Sequence, residues 1–160
     1  SNNSGFMNIL VLDHLLVNPD KYVEKVLEGE FVDVEDGDYT FKGIQVRDND
    51  ELAIIVKSIY PEYRIVYNFI RQSPEFQKEP NFKHTDEMMG DKTVLLYLNK
   101  KHPKEAGTTL YEEGDPACTI YYKYNRMVVF DSEICHSRNL KDNFGSGNNS
   151  RLVQVIFIRK

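Results

Sequence analysis

The stretch "RLVQVIFI", Arg151 to Ile158, decides the fold. Side chains alternate between the two faces of a strand, so its odd-numbered residues share one face that is apolar apart from a single cation: Arg151, Val153, Val155 and Phe157. Its even-numbered residues share the other face, where the one polar member is a glutamine: Leu152, Gln154, Ile156 and Ile158. A strand that is apolar on both faces has to be covered on both. We therefore expect this strand to line the interior of a barrel on one face and to lie under helices on the other.

The rest of the chain after Pro61 has a similar β-rich texture. Short runs of β-branched, aromatic and aliphatic residues are separated by turn residues: "YRIVYNFI", "KTVLLYLN", "GTTLYE", "ACTIYYKY", "RMVVF" and "SRLVQVIFI". Several short strands at this spacing are typical of a sandwich, barrel or jelly roll. The sequence thus predicts a mainly β core over residues 61–160.

Two helices are predicted before this core. In "NPDKYVEKVLEG" Asn18 can cap a helix, proline suits its first position, and Gly29 can end it. In "DNDELAIIVKSIYP" Asp48 and Glu51 have the spacing of a capping box, and Pro61 stops the helix. Both helices carry an apolar stripe, so we expect them to pack against the outside of the β core.

The remaining N-terminal segments give weaker signals. Phe6–Leu12 is apolar enough for a first strand, whereas residues 31–46 are predicted to be irregular, with a short strand at Tyr39–Phe41. By composition, residues 71–80 and 141–150 are loops. The polar opening, residues 1–5, is expected to be a disordered tail. We expect one domain over residues 1–160, with residues 6–60 supporting the core.

Composition limits the function classes. With 20 Lys and Arg against 25 Asp and Glu, the chain is mildly acidic, which makes nucleic acid an improbable partner. No run is long enough to cross a membrane, and Cys118 and Cys135 are expected to be reduced thiols of a cytoplasmic protein. The tyrosines of "IYYKY" are expected to pack on the surface of a strand: Tyr121, Tyr122 and Tyr124.

The segment "NFKHTDEMMG" holds a candidate metal site. His84 and Asp86 are two apart, so an extended strand directs both side chains to one face. A non-haem Fe(II) site needs two histidines and one carboxylate on one side of the metal. Of the other histidines, His136 follows an apolar strand, whereas His14 and His102 lie beside a helix and in a charged loop. Alone, a His-x-Asp pair is more often a solvated polar pair than a metal site.

The order of several motifs along the chain strengthens the prediction that this segment binds a metal. From residue 64 onward the chain resembles the Fe(II)- and 2-oxoglutarate-dependent oxygenases, in particular the prolyl-4-hydroxylase-like branch with its small bacterial and phage members. The segments that carry the resemblance occur in the order of that family: "HTD", "TVLLYLNK", "AGTTLYE", "YNRMVVF", "CHSRN" and "SRLVQVIFI". The resemblance implies a double-stranded β-helix, or jelly roll, flanked by about two helices.

The resemblance also implies roles for individual residues. His84, Asp86 and His136 would bind Fe(II), and Arg151 would bind the distal carboxylate of 2-oxoglutarate, which Tyr97 could also reach. One departure from the family is the 15-residue gap (151 − 136) between the distal histidine and this arginine. Another is that Ala106 and Tyr111 replace a glycine and a phenylalanine of the family. Because of the long gap, Arg138 is a second candidate for the carboxylate.

The implied activity is oxidative. With O2 as the third reactant, the enzyme would convert 2-oxoglutarate to succinate and hydroxylate a substrate, either a peptidyl residue such as proline or a small molecule. The chain would be a monomer or a homodimer. Two alternatives remain open: a cupin-like metal enzyme that does not use 2-oxoglutarate, and a non-catalytic jelly-roll module that binds carbohydrate or protein. In the second, His84 and Asp86 would be surface residues.

Overall fold

A computed structural model describes residues 7–77, 83–139 and 143–160. The predicted N-terminal tail, residues 1–5, lies outside the described residues, as do Phe6 and parts of the predicted loops at 71–80 and 141–150. Within the described residues the chain consists mainly of antiparallel strands with two α-helices. This architecture confirms the predicted fold class.

Helix α1 spans Pro19–Glu28, as the sequence predicts. The Asn18 side chain caps it by accepting a hydrogen bond of 3.2 Å from the backbone N–H of Lys21. Its C-terminal cap is Gly29, whose own N–H bonds back to the Val26 carbonyl. A proline in the first turn loses no hydrogen bond there, since that N–H would have no partner within the helix.

Helix α2 spans Asp50–Ile59 and begins one residue later than the predicted capping box. Its N-cap is Asn49, whose side-chain oxygen accepts from the Leu52 N–H at 3.1 Å. The prediction of Asp48 as the cap is therefore wrong, because the adjacent asparagine occupies the capping geometry instead. Neither helix in the described part of the chain is long and apolar enough to cross a membrane.

The strands are numbered in chain order. Ten occur in the described residues: β1 (Leu10–Leu12), β2 (Val32–Asp36), β3 (Tyr39–Val46), β4 (Arg64–Ser73), β5 (Lys92–Tyr97), β6 (Thr108–Glu112), β7 (Asp115–Ile120), β8 (Met127–Asp131), β9 (His136–Arg138) and β10 (Arg151–Arg159). A short 3-10 helix, Gly147–Asn149, precedes the last strand. The six predicted β-rich runs after Pro61 correspond to β4, β5, β6, β7, β8 and β10.

These strands form two antiparallel sheets. The major sheet has the order β1-β8-β5-β10-β4-β3-β2, and the minor sheet has the order β7-β6-β9. A backbone bridge between His84 and His136 adds the segment at His84 to the minor sheet, next to β9. Four strands of the major sheet, β8, β5, β10 and β4, thus face the minor sheet across the core, as in a double-stranded β-helix.

Strand β10 has two buried faces, as its sequence predicts. On the face toward the minor sheet, here called the inner face, Val153 belongs to a cluster with Tyr97, Leu110 and Phe130. On the outer face its even-numbered apolar residues pack with residues of α1, α2 and β4: Val26, Leu52, Val56 and Ile70. Strand β10 therefore lines the barrel with its inner face and packs against both helices with its outer face.

The glutamine on the outer face is buried but not isolated. Gln154 has no exposed surface, accepts a hydrogen bond from the Tyr22 hydroxyl at 2.7 Å, and donates one to Asn68 Oδ1 at 2.7 Å. A buried amide is tolerated when its donors and acceptors are satisfied in this way. The polar residue thus fixes α1 against the sheet.

The segment 31–46 differs from the prediction. It forms a β-hairpin, β2 and β3, that extends the major sheet beyond β4, so the irregular structure expected there is wrong. Strand β3 pairs with β4 through Ile44 and Arg71. Acidic residues and glycines interrupt the apolar alternation, so pairing with β4, rather than local pattern, determines these strands.

Candidate metal centre

The three predicted metal ligands are brought together by pairing within the minor sheet. His84 and His136 exchange backbone hydrogen bonds of 3.0 and 2.9 Å, which places their side chains on the same face. Asp86 is held by its own N–H, which donates to the Ser132 carbonyl at 2.8 Å. Residues 52 positions apart in sequence (136 − 84) therefore become direct neighbours.

Their side chains converge on one small volume. One ligand atom from each of His84, Asp86 and His136 lies within 4.8 Å of the others. Asp86 Oδ1 is 3.7 Å from His84 Nε2, and Asp86 Oδ2 is 3.0 Å from His136 Nε2. The side chains become more exposed from His136, at 9%, through Asp86, at 18%, to His84, at 41%. The cluster is thus closed on one side and open toward solvent on the other.

The orientation of His136 fits a cation. Its Nδ1 lies 3.1 Å from the Ile134 carbonyl, and in the tautomer that donates from Nδ1 to this carbonyl, Nε2 can bind a metal. Nε2 lies 3.0 Å from Asp86 Oδ2, so a cation between these two atoms would be bound by both. The Phe130 ring packs against the imidazole in a T-shaped arrangement, with 4.9 Å between the ring centroids. Two imidazoles and one carboxylate are the donor set of a non-haem Fe(II) site.

Tyr97 lies deeper in the barrel and is fully buried. Its hydroxyl is 2.8 Å from Thr108 Oγ1, and its ring stacks on Tyr122 at a centroid distance of 4.3 Å. Burial raises the pKa of Tyr97, and the positive charge of Arg151 opposes that rise.

Arg151 and Arg138 both belong to the inner face. Arg151 starts β10 two residues before Val153, which pairs with Tyr97 on β5. Arg138 pairs with Thr108 on β6 and donates a hydrogen bond to Asn143 Oδ1. Arg138 has the same parity as His136 on β9, and Arg151 has the same parity as Val153 on β10, so strand alternation places both candidates for the 2-oxoglutarate carboxylate on the inner face.

Other residues singled out in the sequence lie elsewhere or differ from expectation. The His102 ring contacts Tyr122 in a tilted arrangement, and His14 lies just before α1, so neither belongs to the metal cluster. Tyr122 was expected on a strand surface but is buried, with 2% exposure, because β7 ends at Ile120 and the chain turns inward. Cys118 and Cys135 are free thiols.

No protein-family model and no curated protein sequence matches this chain. Solved structures do resemble it. The non-heme α-ketoglutarate-dependent epimerase SnoN from nogalamycin biosynthesis is 12% identical, with 94% of this chain and 75% of that one covered and a TM-score of 0.66. A prolyl hydroxylase from Trichoplax adhaerens, in complex with a hypoxia-inducible-factor peptide fragment, is 14% identical (94% and 82% covered, TM-score 0.65). The viral collagen prolyl hydroxylase of Paramecium bursaria Chlorella virus-1 is 12% identical (94% and 89% covered, TM-score 0.61). The chain therefore has the double-stranded β-helix fold of these enzymes, and the predicted resemblance is confirmed at the level of the fold.

Proposed function

We propose that this chain is an Fe(II)- and 2-oxoglutarate-dependent oxygenase. The observation that carries the proposal is the His84, Asp86 and His136 cluster, which lies on the inner face of the same fold that such enzymes have. The chemistry of the donor set and the convergence of His136 Nε2 and Asp86 Oδ2, 3.0 Å apart, both suit a divalent cation. In a non-catalytic binding module His84 and Asp86 would be surface residues, whereas the Asp86 side chain is only 18% exposed and faces His136.

Arg151 and Tyr97 are the residues we assign to 2-oxoglutarate. A guanidinium suits the distal carboxylate because its planar fork matches both oxygens. Tyr97 offers a hydroxyl in the same buried region, where the surrounding inner-face residues are apolar. A dicarboxylate that enters this region would lose its hydrogen bonds to water, and contacts with the Arg151 guanidinium and the Tyr97 hydroxyl would replace them.

Bound iron with 2-oxoglutarate would supply O2 activation, with oxidative decarboxylation of the co-substrate to succinate and hydroxylation of the primary substrate. The protein's part is to fix the ligands and to keep water out. Asp86 offsets the charge of the metal, the Ile134 carbonyl orients His136, and Phe130 walls the site on its buried side. The more exposed His84 side marks the direction from which a substrate would approach.

The primary substrate is a peptidyl residue, such as proline, or a small molecule. Both classes of ligand are bound by proteins with this fold. The Trichoplax prolyl hydroxylase is bound to a peptide fragment, whereas EctD from S. alaskensis is bound to 5-hydroxyectoine and 2-oxoglutarate. The choice between these classes depends on the surface around the metal cluster.

An anaerobic titration tests the proposal. Adding Fe(II) and then 2-oxoglutarate to the purified protein should produce a visible metal-to-ligand charge-transfer band, because the 2-oxo acid chelates the iron. The band should be absent from the His136→Ala variant. Folded wild-type protein without a band would overturn the proposal. Iron binding without a band on addition of 2-oxoglutarate would favour a cupin-like metal enzyme that does not use this co-substrate.

A further inference from the structure

The hairpin of β2 and β3 carries an exposed apolar surface. Thirteen large apolar side chains are exposed in the described residues, and six of them lie on β2, β3 and the neighbouring β4. We call these six the ribbon patch: Val32, Val34, Tyr39, Phe41, Val46 and Tyr67, which are between 40% and 81% exposed. A cluster of this kind on a soluble domain usually marks an interaction site.

Strand register places the ribbon patch on one face. Arg71 pairs with Val153 of β10 on one side and with Ile44 of β3 on the other, so Ile44 belongs to the inner face. Ile44 and Phe41 are three apart, yet they pair with two β2 residues that are only two apart. A β-bulge near Gly43, which has φ of +68°, absorbs the extra residue and returns Phe41 to the inner face.

The hairpin that carries the ribbon patch is acidic. From Glu30 to Val46 the hairpin has one cation, Lys42, and five carboxylates, a net charge of −4 (1 − 5). The five acids are all exposed: Glu30, Asp33, Glu35, Asp36 and Asp38. Apolar side chains on one face and carboxylates around them form a complementary surface for a partner that is both apolar and cationic.

Strand β2 is also an edge. It ends the major sheet, and in the described part of the chain its other side pairs with no strand. Such an edge offers a row of backbone donors and acceptors to an added strand. A second copy of this chain would bring a second set of carboxylates to the same edge, and anionic lipid would be repelled in the same way.

We propose that β2 binds an extended polypeptide segment in which apolar and cationic side chains alternate. The added strand would bond to the β2 backbone, set its apolar side chains beside Val32 and Val34, and direct its cations toward Asp33 and Glu35 on the opposite face. The site is three strands away from β10 in the sheet, so it recruits a protein partner rather than presenting the atom to be oxidised.

A synthetic peptide tests this proposal on the whole chain. The probe is an alternating Val-Lys peptide, about eight residues long, with an alternating Val-Glu peptide as its control. The Val-Lys peptide should bind, more weakly at high salt, and Glu35→Lys should lower its affinity at least about tenfold. A Val-Lys peptide methylated on every backbone nitrogen should bind much less well, because neither of its edges can donate hydrogen bonds to a strand.

Three results would overturn the proposal that β2 binds an added strand. They are absence of binding, equal binding of the Val-Glu peptide, and binding that survives backbone methylation. A dimer seen by light scattering that Phe41→Ser converts to monomer would also overturn it, because the ribbon patch would then be covered by a second copy. Glu105→Lys, at an exposed position between β5 and β6, is the matched charge control and should leave peptide affinity unchanged.

A second, independent observation concerns Asn99, the last residue of the "YLN" segment. Its buried side chain hydrogen-bonds the backbone on both sides of Arg151. Nδ2 donates to the Ser150 carbonyl at 2.8 Å, and Oδ1 accepts from the Leu152 N–H at 2.7 Å. The Arg151 N–H itself donates to the Phe144 carbonyl at 2.9 Å. The start of β10 is thereby fixed before the strand ladder begins.

Tyr122 completes this arrangement. Its hydroxyl proton lies between Asn99 Oδ1 and the Leu152 carbonyl, which is 2.8 Å away. Its ring stacks on Tyr97 at 4.3 Å. Asn99 and Tyr122 thus join the two residues assigned to 2-oxoglutarate, although neither reaches the metal cluster.

We infer that Asn99 is a positioning residue for Arg151. The inference depends on the proposed function, because it concerns the arginine assigned to the co-substrate. Asn99→Asp keeps the size and the acceptor but replaces the donor to Ser150 with a carboxylate oxygen. The carbonyl is then repelled, the start of β10 shifts, and the guanidinium leaves its position.

Anaerobic titrations of Fe(II) and of 2-oxoglutarate separate positioning from stability. In Asn99→Asp the 2-oxoglutarate affinity should fall about tenfold or more while Fe(II) affinity stays that of the wild type. Tyr122→Phe, which keeps the ring stack, should lower 2-oxoglutarate affinity less and in the same direction. The matched control is Asn125→Asp. The buried Asn125 side chain also accepts from a backbone N–H and donates to a backbone carbonyl, both of Leu16, at 2.9 and 3.0 Å.

The outcomes distinguish the two claims. If the wild type shows no charge-transfer band, the proposed function itself fails. If the wild type shows the band and Asn99→Asp and Tyr122→Phe both keep its 2-oxoglutarate affinity, the role of Asn99 is overturned. An equal loss of 2-oxoglutarate affinity in Asn125→Asp would also overturn it, because the effect would then be one of general destabilisation.

Discussion

Nε2 of His136 lies 3.0 Å from Oδ2 of Asp86, and each is an acceptor when the neutral imidazole donates from Nδ1. A cation relieves this contact, so Asp86→Ala should abolish tight Fe(II) binding, measured by anaerobic titration. Glu87→Gln is the neighbouring control and should bind iron normally, since Glu87 is not in the cluster. Unchanged iron affinity in Asp86→Ala would contradict the ligand assignment.

Metal binding should also stabilise the fold. The His84 segment is joined to the minor sheet through its bridge to His136, and iron would add a second link between them. A ligand that binds only the native state raises stability with its concentration. Thermal melting with Fe(II) or the redox-inert Zn(II) should therefore show a higher Tm for the wild type, and His84→Ala should lose this increase.

The assignment of Arg151 to the distal carboxylate of 2-oxoglutarate can be tested by replacing each candidate arginine with lysine. Arg151→Lys keeps the charge but loses the bidentate fork, so 2-oxoglutarate should bind at least about tenfold more weakly. Arg138→Lys should leave that affinity near the wild-type value. If the effects are reversed, Arg138 binds the carboxylate and the roles of the two arginines have to be exchanged.

The Asp13–Arg126 pair predicts an acid-dependent loss of stability. Hydrogen bonding to Arg126, at 2.7 Å, is the main cause that lowers the pKa of Asp13 to about 2. Because the folded-state pKa is below the unfolded value of 3.8, the contribution is complete above about pH 4 and disappears as pH falls toward 2. Asp13→Asn should cost about 0.5–1 kcal/mol at pH 7, since the pair is partly exposed.

Chemical denaturation at several pH values measures this cost. The difference in unfolding free energy between wild type and Asp13→Asn should shrink between pH 4 and pH 2. A difference that stays constant over this range would show that the aspartate contributes by packing and not by charge.

Gln154 gives a prediction about the outer face. Gln154→Leu should lower the unfolding free energy by about 1–3 kcal/mol, because the Tyr22 hydroxyl and the Asn68 side chain lose a buried partner. Adding Tyr22→Phe should cost little more, since the orphaned hydroxyl is then removed. Fully additive losses in this double-mutant cycle would show that the hydrogen bond contributes nothing.

Much of this architecture is predictable from local sequence. Both faces of β10 were correctly predicted, because its alternation is continuous and its two sets of residues are apolar. The cap of α1 was correct for a similar reason, since Asn18 and Pro19 act within one turn. His84, Asp86 and His136 were predicted from motif order and do converge, although their metal-binding role remains a prediction.

What the sequence missed depends on contacts between distant residues. The β2–β3 hairpin has little amphipathic pattern and exists through pairing with β4. Tyr122 looked like a surface residue, because its burial depends on Asn99 and Leu152, which are 23 and 30 positions away. Whether Arg138 or Arg151 holds the carboxylate also depends on packing that no local pattern records.

In strand β10, substitutions at neighbouring positions have different consequences, because even-numbered and odd-numbered residues lie on opposite faces. Substitutions at its even positions alter the packing of the helices, whereas those at its odd positions alter the inner face of the barrel. Because the backbone lies between the two sets, the stability of the fold and the shape of the barrel interior can change separately in descendants of this chain. Two mutant libraries, one that varies only the even positions of Leu152–Phe157 and one that varies only the odd positions, would make use of this separation.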